Sequence, residues 1–234
     1  MRVALIADIH GNLVALEAVL ADIDRRGAEA VVCLGDVAAT GPQPAEAVAR
    51  VAELGCPVVM GNTDEWLLEP RDEAIEDDDT RRIVEIDLWA HDQLDGSHRE
   101  LLRGYLPLVA LDGLLGFHGS PRSNTEVLLS TTPDAELTAM LAGHHQQVLA
   151  GGHTHLPMLR RHGGSLVINP GSVGMPFEQV DGGFRNPPWA EYAIVEDGQV
   201  EFHRVPVDVG EVTSAALRSG MPNASWWVKD WAWQ

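Results

Sequence analysis

The chain has 234 residues, of which 45% are hydrophobic, so it can bury one sizeable core and is neither a disordered nor a fibrous protein. Its 16 lysines and arginines against 35 aspartates and glutamates give a formal net charge of −19, which disfavours passive binding to nucleic-acid backbones and anionic membranes. No apolar run approaches the ~20 residues of a membrane span, and the first run stops at Asp8, too early for a signal peptide, so we expect a cytoplasmic location.

Eight short apolar runs predict β-strands. Each run contains β-branched or aromatic residues and is bounded by glycine, proline or aspartate, as strand ends commonly are. The predicted strands are residues 2–7, 30–34, 57–60, 114–117, 147–150, 166–168, 191–195 and 199–205. The last three have short connections, so we expect that half of the chain to be antiparallel.

Two helices are predicted between the first three strands. Leucine and isoleucine recur at helical spacing from Leu13 to Ile23, with Asn12 as the N-cap, and residues 45–54 form the second helix. Strands and helices that alternate in this order predict an α/β layer with a parallel sheet in the N-terminal half.

Residues 65–106 interrupt this order. An acidic cluster at residues 76–79 precedes apolar residues at helical spacing, namely Ile83, Ile86, Leu88, Leu94, Leu101 and Leu102. We predict a solvated, mobile acidic loop and two or three helices that pack on the main domain. The whole chain, residues 1–234, is therefore expected to be one domain with this helical insertion.

The C-terminal tail, residues 225–234, holds four of the seven tryptophans, namely Trp226, Trp227, Trp231 and Trp233. We predict that the tail packs back on its own domain. A contact in a homo-oligomer is the alternative, because tryptophan is enriched among the anchor residues of interfaces.

Five of the predicted strands end in residues able to bind a metal ion. These are Asp8 and His10 after the first strand, Asp36 after the second, Asn62 and Asp64 after the third, His118 after the fourth, and His153 and His155 after the fifth. Because ligand sites of α/β sheets lie beyond the carboxyl ends of the strands, these loops can converge on one place. Taken singly, Asp8 and Asp64 could cap helices and His118 could be a half-buried core histidine. Five such ends in one chain favour a shared site.

The ligand types in these loops indicate which ion they would bind. Carboxylate, amide and imidazole groups form a borderline-hard set that suits Mn²⁺, Fe or Zn²⁺ better than Ca²⁺. Cys33 and Cys56 lie in apolar runs and are interpreted as reduced core residues, so a purely structural zinc site is disfavoured. Seven ligands suit two ions if Asp36 bridges them, namely Asp8, His10, Asp36, Asn62, His118, His153 and His155.

The motifs Asp8-x-His10, Gly35-Asp36, Gly61-Asn62-x-Asp64, His118-Gly119 and Gly152-His153-Thr154-His155 resemble those of the calcineurin-like metallophosphoesterases. Residues 169–174 are similar to the small bacterial and archaeal phosphodiesterase branch of that family. The resemblance covers nearly the whole chain except residues 65–106 and the tail. It implies an α/β (α+β) fold, a four-layer αββα sandwich of two mixed β-sheets flanked by helices.

The resemblance also implies a metal assignment and an activity. Asp8, His10, Asp36 and His155 would hold one ion, and Asp36, Asn62, His118 and His153 the other, with manganese favoured and Fe, Zn, Ni, Co or Mg as alternatives. The implied reaction is hydrolysis of a small phosphodiester by a hydroxide that bridges the two ions. The candidates for catalysis are Asp36, Asn62, Asp64 and His10.

The sequence departs from the family at two places. Many members have histidine directly after the asparagine of the third motif, where this chain has Thr63, whose hydroxyl is too weak an acid to replace an imidazolium. Protein Ser/Thr phosphatases carry an arginine shortly after the Gly-Asp motif, and residues 37–41 contain none, so that class is disfavoured. Two alternatives stay open: a phosphomonoesterase, and a metal-binding protein-interaction scaffold of the same fold, similar to a retromer subunit.

Overall fold

A computed structural model describes residues 1–71, 74–180 and 183–231 of the chain. Within these residues, two mixed β-sheets form the centre. The first, in the order β11-β10-β1-β2, contains β1 (Val3–Ile6), β2 (Ala30–Cys33), β10 (Trp189–Glu196) and β11 (Gln199–Pro206). The second, in the order β3-β4-β5-β7-β6, contains β3 (Val109–Leu111), β4 (Leu114–Gly116), β5 (Val148–Ala150), β6 (Met158–His162) and β7 (Ser165–Asn169). A separate hairpin pairs β8 (Glu178–Val180) with β9 (Gly183–Arg185).

The helices flank the two sheets. They are α1 (Leu13–Arg26), α2 (Pro44–Glu53), α3 (Asn62–Leu68), α4 (Asp78–Gln93), α5 (Gly96–Arg103), α6 (Asp134–Met140), α7 (Val209–Arg218) and α8 (Ala224–Trp227), followed by a 3-10 turn, Val228–Trp231. The prediction for α1 is confirmed, because the Asn12 side chain accepts a hydrogen bond from the Ala15 N–H at its start. The second predicted helix is also confirmed, as α2. No helix among the described residues is long and apolar enough to cross a membrane.

Buried apolar side chains hold four layers together. Leu5 of β1 and Ile168 of β7 belong to the cluster between the two sheets. On the other side of the first sheet, Ile6 packs in the cluster that includes α1 and α2. On the other side of the second sheet, Leu149 packs with α6. Since both faces of the central strands are covered, β1 is apolar throughout, and the predicted αββα sandwich is confirmed.

The parallel pairing predicted for the N-terminal half holds for β1 and β2. The prediction for residues 57–60 is wrong, because this segment makes only isolated bridges, from Val58 to Cys33 and from Val59 to Leu106. Pro57 offers no N–H to a ladder, and α3 begins at Asn62, so little length is left for a strand.

The prediction that the last three strands form an antiparallel set is only partly correct. β10 and β11 form an antiparallel hairpin in the first sheet. β7 instead lies in the second sheet, parallel to β5. The chain leaves one sheet for the other after β7, and β10 then returns to pair antiparallel with β1.

The insertion between α3 and β3 packs on the core of the first sheet. Ile86, Leu94 and Leu102 are buried there, whereas the other apolar residues predicted on these helices, Ile83, Leu88 and Leu101, are exposed. The acidic cluster is solvent-exposed, but it is not all loop. Asp77 caps α4 by accepting a hydrogen bond from the Thr80 N–H, and the next two aspartates lie in the first turn, where they stabilise the helix dipole.

The described part of the tail packs on the chain's own core. Trp227 and Trp231 are buried, and the Trp227 Nε1–H donates to the Thr40 carbonyl. Trp233 lies outside the described residues. An oligomer contact through the tail stays a prediction.

Candidate metal centre

Five loops meet at one edge of the sheets, four of them after β1, β2, β4 and β5 and one after the bridged segment 57–60, and their metal-binding atoms form two groups. The atoms within each group lie within 4.8 Å of one another, the first group being Asp8, His10 and His155 and the second Asp36, His118 and His153. The groups adjoin at Asp36, whose Oδ2 lies 3.8 Å from His10 Nε2 and 3.3 Å from His118 Nε2. Asn62 Oδ1 lies 3.0 Å from His118 Nε2 and so joins the second group. All seven predicted ligand residues are therefore brought together.

Backbone carbonyls determine which nitrogen of three imidazoles faces the centre. The Nδ1 atoms of these rings lie near carbonyl oxygens, at 3.0 Å for His10 and Ala39, 2.7 Å for His118 and Leu34, and 2.7 Å for His155 and Met175. Because a carbonyl oxygen only accepts, each Nδ1 carries the hydrogen and turns Nε2 inward as a lone pair in the neutral ring. The Nε2 atoms of His10 and His155 lie 3.0 Å apart. Two lone pairs cannot bond to each other, but both can bind one cation.

The charges in the centre also fit a metal. Burial lowers the pKa of His10. Burial also lowers the pKa of His155, to about 3, and the neighbouring His10 ring adds to that shift. Both rings are therefore neutral at pH 7. Burial raises the pKa of the Asp8 carboxyl. Burial opposes protonation of His118, but the negative charge of Asp36 outweighs this effect and raises the His118 pKa to about 10. The same pairing lowers the pKa of Asp36, where it outweighs the effect of burial. The neutral rings of His10 and His155 turn lone pairs toward the buried Asp8 and Asp36 carboxylates, and the proton on His118 supplies a positive charge beside Asp36. A divalent cation could supply that positive charge instead.

The backbone at the centre is strained. Five of the seven candidate ligands have a left-handed backbone, with φ of 56° at Asp8, 47° at His10, 55° at Asp36, 68° at His153 and 56° at His155. They are half of the ten non-glycine residues with positive φ in the described part of the chain. Each such residue costs about 1–3 kcal/mol and persists only where its surroundings hold it, which is typical of functional sites.

Gly61 allows two of the loops to approach each other closely. A Cβ at this position would lie 2.1 Å from Asp36 Oδ1 and 2.3 Å from the Asp36 backbone nitrogen. Any other residue would push Asp36 out of the position between the two groups. The third motif therefore requires a glycine before Asn62 for steric reasons.

Asp64 lies behind the centre. Its carboxylate accepts the backbone N–H of Asp36 and of Val37, each at 2.8 Å, and that of Gly61 at 3.2 Å. Burial raises the pKa of Asp64 to about 7, with the nearby Asp36 charge adding to it. These contacts fit a positioning role for the Asp36 loop, and they also cap the start of α3.

Three side chains hold the loops in place through contacts that the sequence does not predict. Asn169 Nδ2 donates to the Gly152 carbonyl at 2.6 Å, just before His153. Ser172 Oγ donates to the Asp8 carbonyl at 2.7 Å. Asn12 was predicted only as a cap, yet its Nδ2 also donates to the Gly174 carbonyl at 2.9 Å. The segment 169–174 contains Asn169, Ser172 and Gly174. Its resemblance to the family is the only feature of the sequence that points to these contacts.

Comparison with known proteins agrees with this geometry. Residues 1–186 match the calcineurin-like phosphoesterase superfamily domain. An uncharacterized protein of Methanocaldococcus jannaschii is 28% identical over 242 residues, covering 94% of this chain and 93% of the relative. Phosphodiesterase YfcE from Escherichia coli K12 is 28% identical over 188 residues, covering 75% of this chain and 81% of the relative.

Solved structures extend the similarity to the C-terminal strands and helices. The metallophosphoesterase from Sphaerobacter thermophilus has a TM-score of 0.80 at 28% identity, covering 99% of this chain and 98% of that one. A hypothetical protein from Pyrococcus horikoshii OT3, at 21% identity, also has a TM-score of 0.80 and shows the fold alone. Since the family match spans most of the chain and includes every candidate ligand, the chain belongs to the calcineurin-like phosphoesterase superfamily.

Proposed function

We propose that the protein is a dinuclear metal-dependent phosphodiesterase that hydrolyses small phosphodiesters. The observation that carries the proposal is the position of Asp36, whose Oδ2 lies 3.8 Å from His10 Nε2 in one group of ligands and 3.3 Å from His118 Nε2 in the other. A carboxylate so placed can bridge two ions. The similarity to a relative named as a phosphodiesterase supports the reaction class.

The residues divide between two ions. Asp8, His10 and His155 would hold the first ion, and Asn62, His118 and His153 would hold the second, with Asp36 shared, as the two groups of adjacent side chains suggest. Two divalent ions, Mn²⁺ being our choice, supply a strong nucleophile from water at neutral pH and neutralise charge on the phosphoryl oxygens. Asp64 keeps the Asp36 loop in place by accepting the backbone N–H groups of Asp36 and Val37.

Charge favours small substrates over long polyanions. The net charge of −19 repels a long phosphate backbone, whereas two ions make the centre itself attractive to one phosphate. Residues 37–41 contain no arginine to clamp the second charge of a phosphomonoester. A diester, which carries one charge fewer, is therefore the better match.

The test is Mn²⁺-dependent hydrolysis of bis(p-nitrophenyl) phosphate compared with p-nitrophenyl phosphate. We expect turnover of the diester to require the metal and to exceed that of the monoester in kcat/KM. His145→Ala, which removes an exposed histidine outside the centre, is the control and should keep full activity. Faster turnover of the monoester would make the protein a phosphomonoesterase. Absence of turnover with metal bound would favour the scaffold alternative.

A further inference from the structure

Two phenylalanine rings connect the metal centre to solvent. The Phe177 ring centroid lies 6.0 Å from that of His155, a ligand of the first ion in the proposed function. The Phe184 ring meets Phe177 edge to face, with the two centroids 5.2 Å apart. Phe184 is 62% exposed, more than any other large apolar side chain in the described part of the chain. This apolar surface therefore begins at a candidate ligand and continues outward, unlike a single exposed residue.

The two rings lie in β9 and just before β8, and the hairpin that carries them is held at both ends. The Met175 carbonyl, two residues before the first ring, accepts the Nδ1–H of His155 at 2.7 Å. After β9, the Asn186 N–H donates to the Asp230 carbonyl at 2.8 Å. One end of the hairpin is thus attached directly to a side chain of the centre.

The surroundings of the rings are apolar and nearly neutral. Leu156, the residue after His155, is 39% exposed. The charged side chains among the described hairpin residues are Glu178 and Arg185, and Arg185 Nη2 lies 3.3 Å from Glu178 Oε2, so their charges offset each other. A group that binds here therefore needs no charge of its own.

The side of the second ion has a different character. A cleft of about 500 Å³ beside Asn62 is lined largely by polar and charged side chains, among them Glu65 and Asn124. An apolar ring placed over these groups would remove them from water without replacing their hydrogen bonds, which is unfavourable. An apolar substituent of a bound phosphodiester therefore fits better on the side of the two phenylalanines.

We propose that Phe177 and Phe184 bind an uncharged, planar aromatic substituent of the phosphodiester by stacking. Aromatic rings attract one another in offset-stacked or edge-to-face arrangements, and the exposed Phe184 ring retains surface for a third ring. The inference rests on the proposed function, which places the phosphate on the ions. The two phenylalanines are then specificity-determining residues of that reaction.

The experiment measures calorimetric binding of phosphonates, which have no hydrolysable bond, to the Mn²⁺-loaded protein. 2-Phenylethylphosphonate, 2-cyclohexylethylphosphonate and ethylphosphonate share one anchor and differ in the group attached to it. We expect the phenyl compound to bind about tenfold more tightly than ethylphosphonate, the effect of one aromatic stack and the area it buries. The cyclohexyl compound, although more apolar, should bind about threefold more weakly than the phenyl compound because it cannot stack.

A fourth ligand, 2-(uracil-1-yl)ethylphosphonate, distinguishes a nucleobase from a simple aryl group as the natural substituent. Whichever of the two rings binds more tightly identifies the source of the group. Tighter binding than ethylphosphonate by either ring supports the proposal.

Phe184→Leu replaces the exposed ring by an aliphatic side chain. It should bring the ratio of the ethylphosphonate to the phenylethylphosphonate dissociation constant from about ten to about three or less. Phe202→Leu is the matched control, because Phe202 is a 40% exposed phenylalanine on the edge strand β11, and it should keep the tenfold ratio. Each ratio is taken within one protein sample, so a loss of folded protein does not change it.

The outcomes separate the two proposals. Three results would overturn the aromatic site and leave the proposed function standing: equal binding of the two aromatic compounds and ethylphosphonate by the wild type, tightest binding of the cyclohexyl compound, or an unchanged ratio in Phe184→Leu. A ratio near 1 together with a dimer that Phe184→Leu dissociates would also overturn it, and would assign the rings to a contact between copies of this chain. Failure of the loaded wild type to bind any of the phosphonates would overturn the proposed function, and the aromatic site with it.

Discussion

Asp36 is the residue on which the centre depends. It lies between the two ligand groups, it is held by the Thr63 N–H at 3.0 Å, and its own N–H is fixed by Asp64. We expect Asp36→Asn to lower kcat/KM by at least about 100-fold, because a neutral amide cannot offset two dications and even indirect changes at metal sites cost 10–100-fold. Asp92→Asn, on the exposed side of α4, is the control for loss of one carboxylate. Full activity of Asp36→Asn with two ions bound would refute the ligand assignment.

Thr63 stands where many family members have histidine. Its hydroxyl is buried and makes no hydrogen bond within the described residues. If the missing imidazole limits poor leaving groups, Thr63→His should accelerate alkyl esters by about 10²–10⁴-fold and nitrophenyl esters much less, since general-acid assistance grows with leaving-group basicity. The measurement is log kcat/KM against leaving-group pKa for both proteins at saturating Mn²⁺. Equal slopes would mean that another group already supplies the proton.

The candidate ligands could be identified from the sequence, but the residues that hold their loops in place could not. Asp8, His10 and Asp36 each follow an apolar strand, which is a local signal. The contacts of Ser172 and Asn169 with the loops at Asp8 and Gly152 depend on where distant segments fold, and a single sequence carries no such information. That the buried Thr63 hydroxyl and Trp66 Nε1–H have no hydrogen-bond partner among the described residues is likewise visible only in the folded chain.

At the scale of elements, an ion-pair cluster ties α1 to β10. Asp22 accepts hydrogen bonds of 2.7 Å from Arg25, Arg26 and Tyr192. Burial acts to raise the pKa of Asp22, but these hydrogen bonds outweigh it and hold the pKa well below the ordinary value of 3.8. The lowered pKa means that the cluster stabilises the fold above about pH 4 and loses that contribution as the pH falls further.

Asp22→Asn should therefore lower the free energy of unfolding at pH 7 by about 1.5–3 kcal/mol, the range for hydrogen bonds to a charged group. The difference from the wild type should shrink below pH 4. Urea unfolding at several pH values checks this, with Asp24→Asn, an exposed neighbour on the same helix, as the control. A difference that stays constant down to pH 3 would show that the charge of Asp22 does not matter.

The local pattern of apolar residues predicted α1, α2 and most strands. It could not predict which strands pair when they lie far apart in the sequence. β6 was missed because it lies at a sheet edge and has two arginines and a histidine in its five residues. The pairing of β1 with β10 joins segments far apart in sequence, and nothing in either apolar run specifies the other. The strand-like segment at Val58 stayed short because Pro57 and the start of α3 bound it.

At the scale of the molecule, the C-terminal tail is connected to the centre. Trp227 Nε1–H donates to the Thr40 carbonyl at 2.8 Å, and the preceding residue, Ala39, accepts from His10 Nδ1. We expect Trp227→Phe to weaken Mn²⁺ binding in the group of Asp8, His10 and His155 by about tenfold and to spare the other group, as changes behind metal ligands do. Site-resolved Mn²⁺ titration would measure this. Trp231→Phe, a buried tryptophan of the same segment without that contact, is the control, and equal losses in both variants would indicate a general loss of stability.

The central claim is that five loops of one chain hold two metal ions that share Asp36. Its most direct test is the Mn²⁺ stoichiometry of the wild-type protein, measured by equilibrium dialysis and metal analysis, with electron paramagnetic resonance to detect magnetic coupling between the ions. The geometry of the two ligand groups predicts two ions per chain at saturation and a coupled pair. A single ion per chain, or two ions without coupling, would contradict it.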